Sequence, residues 1–371
     1  MEPLSGFRLP SLFRTLFFVA ITAAALVVID TVLASTERLE TAKEGSRFYN
    51  EGLALTRKGN NAAAIESFKS AIANARENPE YRLALGRAQR GTGLLDDAEA
   101  TLSELLKGDS MAGAPNLALA RVYAREGRMS EAAVYYHRAI FGQWKQDAIA
   151  NQVKTRSELA DLLAANNSKA ELLAELLPLE EQTASDAGMQ KKIAHLYITA
   201  GSPARAAGIF LVVARIHPAD FDAHQGLGDA EFALGNYSAA QAAYAATLRL
   251  RPKDQELRRR WELSGHVIDL DPTRKGLSGQ ERYRRSILVL EQVLDAAKRC
   301  QVDSQQDHAT DLASAASTAV KRHVGAAEQS DAVEANLDLA ARLWKIVKPK
   351  CAPADSATDE PLDLVLAKAA Q

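Results

Sequence analysis

Small residues recur at a fixed interval of 34 along much of this 371-residue chain. Gly52, Gly86 and Ala120 form one set of these key positions, and Ala160, Ala194 and Gly228 form a second. The two sets are offset by 40 residues, so about six are inserted between them, most naturally within FGQWKQDAIA at 141–150. A period of this length indicates stacked copies of one supersecondary unit, and it constrains the fold more than composition does.

Other positions recur in phase with the key residues. Alanine or leucine follows twelve residues later, and an aromatic residue or leucine follows sixteen later and would fill the space between units. A small key residue lets two helices approach closely, and Gly or Asn seven later can end a helix in a left-handed conformation. The seventh positions are Gly59, Gly93, Gly127, Asn167, Gly201 and Gly235.

Together these positions resemble the tetratricopeptide repeat family. The resemblance implies an all-α fold of about six helix pairs in a solenoid at 45–252, with a groove lined by the first helix of each pair. The expected repeats are about 45–78, 79–112, 113–152, 153–186, 187–220 and 221–252.

The N-terminal segment differs from the rest because Asp30 is its only charged residue between Thr15 and Ala34. Twenty helical residues span about 30 Å, the thickness of a bilayer core. We expect a cytoplasmic segment 1–14, a transmembrane signal anchor 15–34 and a linker 35–44, with the N-terminus inside because Arg8 and Arg14 precede the span. The alternative is a signal peptide cleaved after Ala34.

Beyond the repeats, a capping helix is expected at 253–272, with Leu257 and Trp261 facing inward and Arg258, Arg259 and Arg260 largely solvated. A helical domain is expected at 273–371. Its helices would run from a capping box at Ser278 and Glu281 to about residue 299, then over 306–327 and 331–347, with a last one near Glu360 and Pro361 in its first turn. The stretches DPTRKGLSGQERYRRS and LDLVLAKAA resemble membrane-anchored bacterial repeat proteins that carry no assigned activity.

Cys300 and Cys351 are the only two cysteines. In an oxidising compartment they would form a structural disulfide, and in a reducing one they would be two buried thiols.

No sequence motif indicates enzyme chemistry, a metal or a cofactor, since HExxH, GxxxxGK and GxSxG patterns are all missing from the sequence. A net charge of −2 gives no general attraction to nucleic acid. We therefore expect a non-enzymatic scaffold that binds proteins or peptides, including acidic segments, because an arginine fork suits carboxylates. The expected groove residues are Tyr49, Arg57, Arg87, Arg90, Arg121, Arg125, Asp161, Lys191, His195 and Asp229.

These expectations combine into a single-pass protein of the bacterial inner membrane with its repeats in the periplasm. Two alternatives stay open. One is a soluble periplasmic protein after cleavage of the N-terminal segment. The other is an envelope enzyme or carbohydrate-binding factor with a site where the solenoid meets the tail.

Overall fold

The structure is a computed structural model that describes residues 11–300, 309–351 and 356–370. Over these residues the chain is helical apart from short connections, which confirms the all-α prediction. It divides into two compact units, Met1–Leu162 and Leu163–Gln371, with the boundary inside one helix.

The first unit contains three complete helix pairs. They are α1 (Ser11–Arg57) with α2 (Asn61–Asn74), α3 (Pro79–Thr92) with α4 (Leu95–Gly108), and α5 (Gly113–Glu126) with α6 (Met129–Ile140). Helix α7 (Ala148–Ala165) begins in this unit and ends in the second. The segment expected to be a linker, 35–44, is helical, so α1 runs without a break from the apolar segment into the first helix pair.

The second unit contains α8 (Lys169–Gln182) and two complete pairs. These are α9 (Ala187–Thr199) with α10 (Pro203–Ile216), and α11 (Phe221–Ala233) with α12 (Tyr237–Leu250). Five further α-helices follow: α13 (Gln255–Leu270), α14 (Gly279–Arg299), α15 (Ala309–Lys321), α16 (Gln329–Val347) and α17 (Ser356–Ala369). Two short 3₁₀ turns, Ala326–Glu328 and Lys348–Lys350, flank α16.

Close helix contact explains why the key positions are small. A Cβ atom added to Gly52 would lie 2.5 Å from Phe68, and one added to Gly228 would lie 2.5 Å from a ring carbon of Tyr244. Both partners stand sixteen residues after the key residue, so the residue at this sixteenth position packs against the first helix of the same pair. It also fills the space between pairs, as expected, because Phe210 of α10 closes on Gly226 of α11.

The six predicted turn residues all have positive φ, between 57° at Asn167 and 86° at Gly93. This backbone region is unfavourable for residues with a Cβ atom, so Gly or Asn can end the first helix here with little strain. The sequence prediction of a left-handed turn is confirmed at each repeat.

The capping helix α13 differs from its prediction in one respect. Leu257 is buried, as expected, but Trp261 is 37% exposed. Arg260, expected to be solvated, takes the inward position because its Nη1 lies 2.6 Å from Asp229 Oδ1. This partly exposed ion pair joins α13 to α11.

The C-terminal helices share a core with α13. It includes Val289 and Val293 of α14, Leu343 of α16, and Leu362 and Val365 of α17. The predicted cap of α14 is present, since Ser278 Oγ accepts a hydrogen bond from the Glu281 amide.

The bounds of the other two C-terminal helices differ from the prediction. Helix α15 ends at Lys321, before the expected residue 327, and its expected start at 306 lies outside the described residues. Helix α17 begins at Ser356, so Pro361 lies inside it and beyond the first turn. The preceding turn is held by Arg299, whose Nη2 lies 2.7 Å from Asp359 Oδ1.

Cys300 and Cys351 form a disulfide with their Cα atoms 4.8 Å apart. It joins the end of α14 to the residues that follow α16. The predicted pairing is therefore present in the structure.

Two glycines test the importance of the key position. Gly228→Ala should lower the free energy of unfolding by about 1–3 kcal/mol, because the new Cβ overlaps the Tyr244 ring. Gly208→Ala is the matched control, since Gly208 is helical and its Cβ position has open space. This substitution should raise the free energy of unfolding by about 0.5–1 kcal/mol. Urea titrations followed by circular dichroism measure both. Equal effects of the two substitutions would refute a packing role for Gly228.

Candidate functional site

A groove of about 1470 Å³ runs along the first unit. One wall comes from α1 and α3, which contribute Tyr49, Leu53, Leu83, Arg87 and Arg90. The other includes the end of α4 and the segment that joins α6 to α7. It is therefore an open site with aromatic, aliphatic and basic side chains, and its lining also includes Glu77, Glu80, Glu104 and Asp109.

The aromatic part of the groove is built on α1 and α3. The ring of Tyr49 stacks on that of Tyr81, with centroids 4.8 Å apart, and lies 5.9 Å from Phe68. Burial is the main cause that raises the pKa of Tyr49, and the nearby Glu80 carboxylate adds to it. The Tyr49 hydroxyl is thus neutral at physiological pH and can donate a hydrogen bond to a ligand.

The inserted residues between the third and fourth repeats form part of the groove wall. Gln143 pairs with the loop before α5: its amide donates to Met111 O, and its carbonyl accepts from the Gly113 amide, both at 2.7 Å. The indole of Trp144 packs on Gly113, where an added Cβ would lie 2.5 Å away, and donates to Ala139 O at 2.9 Å. The insertion is therefore tied down by backbone and side-chain bonds.

An ion pair links this insertion to the opposite wall. Lys145 Nζ lies 2.9 Å from Glu80 Oε1 at the start of α3. Both side chains are more than half exposed, so the pair adds little to stability. Its consequence is local, because it sets the position of Lys145 at the groove rim.

Arg121, a predicted groove residue, is paired with a carboxylate. Its guanidinium makes two hydrogen bonds to Glu158 of α7, at 2.7 and 2.6 Å, and the Tyr136 hydroxyl donates to the same carboxylate at 2.7 Å. Burial alone would raise the pKa of Glu158, but the bonds from Arg121 and Tyr136 outweigh it and hold the pKa below its usual value. Arg121 therefore acts inside the fold.

Arg87 and Arg90 are two groove arginines that form no ion pair within the described residues. Loss of surrounding water, and then repulsion from Arg121, lowers the pKa of both guanidinium groups, which still remain protonated. Within the described residues Arg87 has no carboxylate partner, and Nε of Arg90 is buried without a hydrogen bond. Arg125 approaches them, and its Nη1 donates to the carbonyl of Arg90. An anionic group in the groove would offset the repulsion among these arginines.

The other predicted groove residues are not brought to this cluster. Arg57 is exposed at the end of α1, and Asp161 is exposed on α7. In the second unit Lys191 pairs with Asp220 at 2.8 Å, and the ring of His195 lies edge-on to Phe210 at 4.9 Å. The Asp229 carboxylate accepts bonds from Tyr244 and Arg260. Lys191 and Asp229 therefore hold neighbouring helices together.

Sequence reasoning missed Glu158, Trp144 and Lys145. The only signal for the last two was the break in the 34-residue interval, which marks 141–150 as an insertion but does not say how it folds. Glu158 stands two residues before the key residue Ala160, where no rule of the repeat calls for a carboxylate.

A family model of the tetratricopeptide repeat matches residues 49–115, 83–148 and 191–257. The chain contains tetratricopeptide repeats. In general, such repeats act as protein-interaction scaffolds and bind proteins or peptides.

Several solved tetratricopeptide structures are similar to this chain. YrrB, described as having an unusual peptide-binding site, is 17% identical over 53% of this chain and 99% of its own, with a TM-score of 0.42. PilW, a type IV pilus biogenesis factor, is 17% identical over 58% and 96%, with a TM-score of 0.41. The C-terminal part of a repeat protein from Cytophaga hutchinsonii is 12% identical over 83% and 98%, with a TM-score of 0.45. A search of curated protein sequences finds no match.

The Glu158 ion pair predicts a pH-dependent contribution to stability. Its carboxyl pKa is lowered from 4.5 in the folded protein, so the pair stabilises the fold above that value and the effect is lost as pH falls through the folded pKa. Glu158→Gln should cost about 1–3 kcal/mol at pH 7 and progressively less below pH 4.5. Chemical denaturation of both proteins between pH 3 and 7 checks this (about the range in which carboxyl groups titrate). A cost that does not change with pH would contradict it.

Proposed function

We propose that this protein is a membrane-anchored scaffold that presents its tetratricopeptide groove to partner proteins or peptides in the cell envelope. The observation that carries the proposal is the groove of the first unit, where Arg87 and Arg90 form no ion pair among the described residues and Tyr49 lies near Arg87. Charge-assisted hydrogen bonds to a guanidinium are among the stronger polar contacts. The ligand we propose is an extended segment with acidic residues.

The aliphatic residues of the groove support a peptide rather than a small anion. Leu53 and Leu83 lie in the same groove as the arginines, and Trp144 adds an aromatic side chain to its lining. A peptide that pairs a carboxylate with Arg87 can bury apolar side chains against these residues. Hydrophobic contact would then add affinity, and the arginines would favour acidic sequences.

The N-terminal helix supports the membrane anchor. Its most apolar stretch has a mean hydropathy of 2.5, and no residue of this stretch is buried. Phe18 and Leu26 are each 66% exposed. Such a surface is unfavourable in water and suits a lipid environment. The Cys300–Cys351 disulfide supports an oxidising compartment for the other end of the chain, such as the periplasm.

Cross-linking in cells tests the groove proposal. A photo-reactive amino acid at Leu83 should form adducts with partner proteins, and Arg87→Glu should reduce their yield about tenfold, the effect of losing about 1.4 kcal/mol of binding energy. Arg282→Glu is the control. Arg282 is exposed on α14, and its substitution changes the net charge by the same amount as Arg87→Glu. The melting temperatures of both variants should match the parent. Undiminished adducts in Arg87→Glu would refute a role for this arginine.

The mass of the mature protein tests the anchor and the compartment together. We expect a chain that retains residues 1–34 and, when denatured without reductant, has no reactive thiol. A mature chain that begins at Ser35 would exclude the anchor and leave a soluble periplasmic scaffold. Two reactive thiols would exclude the disulfide and with it the argument for an oxidising compartment.

A further inference from the structure

The outward faces of α10 and α12 are apolar and exposed. On α10, Leu211, Val212 and Ile216 are 46%, 54% and 65% exposed. On α12, Leu250 is 41% exposed and stands 34 residues after Ile216, at the equivalent place in the next repeat. Single exposed apolar residues are ordinary, but three on one face of α10, with Leu250 at the place of Ile216 in the next repeat, indicate an interaction surface.

Small residues complete these two faces. Ala204 and Gly208 on α10 are exposed and precede Leu211 at helical spacing, and Ala242 stands at the place of Gly208 in the next repeat. Two exposed arginines of α10, Arg205 and Arg215, stand at helical spacing from these residues. We call the exposed residues Ala204, Gly208, Leu211, Val212, Ile216, Ala242 and Leu250 the outer apolar face.

The charged residues of these two helices are all arginines, although Glu180 of α8 lies beside α10. Neither α10 nor α12 contains an aspartate or a glutamate. Arg215 and Arg249 stand 34 residues apart in the last turns, and within the described residues neither has a carboxylate partner. The third arginine, Arg205, pairs with Glu180 at 3.0 Å. The outer apolar face is therefore bordered by two free cations.

Two equivalent helices of the first unit, α2 and α4, carry ion pairs on their outward faces. On α2 the outward residues Glu66 and Lys69 form an ion pair at 2.9 Å, and on α4 Glu104 and Lys107 form one at 2.5 Å. Mixed charges of this kind keep a helix surface solvated. The faces of α10 and α12 differ in this respect from α2 and α4, whereas α6 exposes Val134 and α8 exposes Leu173 and Leu177.

We propose that the outer apolar face docks on a lipid surface with anionic headgroups. Leucine, isoleucine and valine side chains would enter the interface, and Arg215 and Arg249 would contact phosphate groups. A second copy of the chain fits less well, because a two-fold contact through this face would bring the unpaired arginines together with no carboxylate on either α10 or α12. The inference goes beyond ligand binding in the groove, and it rests on the proposed anchor only for keeping the chain near a bilayer.

Site-specific fluorescence on the full chain tests this docking. The two native cysteines are joined, so Val212→Cys gives one site for an environment-sensitive fluorophore, and Glu334→Cys on α16 gives an exposed control site. The labelled chains are reconstituted in vesicles of phosphatidylcholine alone or mixed with phosphatidylglycerol. We expect a blue-shifted emission, quenched by lipid-borne nitroxide, only for the label at 212 and only with phosphatidylglycerol.

Charge reversal identifies the interaction. Arg215→Glu with Arg249→Glu should lower the docking equilibrium about 25-fold, because each arginine near an anionic surface contributes about 1 kcal/mol, or roughly fivefold. Arg282→Glu with Lys345→Glu makes the same change in net charge on other exposed helix surfaces and should leave docking intact. Circular dichroism melting of each variant shows whether it is folded.

Each remaining outcome decides between lipid and other occupants. A label at 212 that stays in water while the chain floats with the vesicles would overturn the docking and leave the anchor standing. A blue shift in detergent that grows with protein concentration would also overturn it, in favour of a second copy. If the chain does not float with neutral vesicles, the proposal of an N-terminal membrane anchor is refuted. The docking then requires that the same chain still bind phosphatidylglycerol vesicles, and absence of that binding would overturn it.

Discussion

The close approach of two helices at each key residue is the contact on which the repeats depend. A glycine at Gly52, Gly86 or Gly228 leaves no room for even one added carbon, because Phe68, Leu102 or Tyr244 fills the space. Since protein interiors are packed at crystal-like density, such a contact fixes the distance between the helices and their rotation. It also fixes which side chains face outward. The arginines of α3 and the apolar residues of α10 owe their exposure to this packing.

The groove arises where the repeat is interrupted. A regular turn would pass directly from the third helix pair to the fourth. The inserted residues instead return to the loop before α5, and Gln143 and Trp144 attach there. This places Lys145 and Trp144 in the same groove as Leu83 and Arg87. The surface that we propose for ligand binding therefore combines regular repeat positions with one irregular segment.

Much of the fold could be predicted because its determinants are local. The turn residues and helix pairs follow from a short pattern repeated along the chain, and the cap at Ser278 follows from two residues three apart. Contacts between distant residues could not be predicted in this way. The pairing of Arg121 with Glu158, 37 residues later, removed one arginine from the expected basic cluster. Arg260 reached Asp229 and left Trp261 exposed, and Arg299 held the turn ahead of Pro361. Each of these corrections comes from an ion pair between helices.

The central claim is that the inserted segment folds as a fixed wall of the groove. Hydrogen exchange of individual backbone amides tests it most directly, because the Gly113 and Gln143 amides each donate at 2.7 Å across the insertion. We predict that both exchange slowly, like amides inside α5, while the exposed Asp147 amide that follows exchanges fast. Rapid exchange at Gly113 and Gln143 would mean that the segment is not held in place. The groove would then lack its second wall, and the account of ligand binding would be wrong.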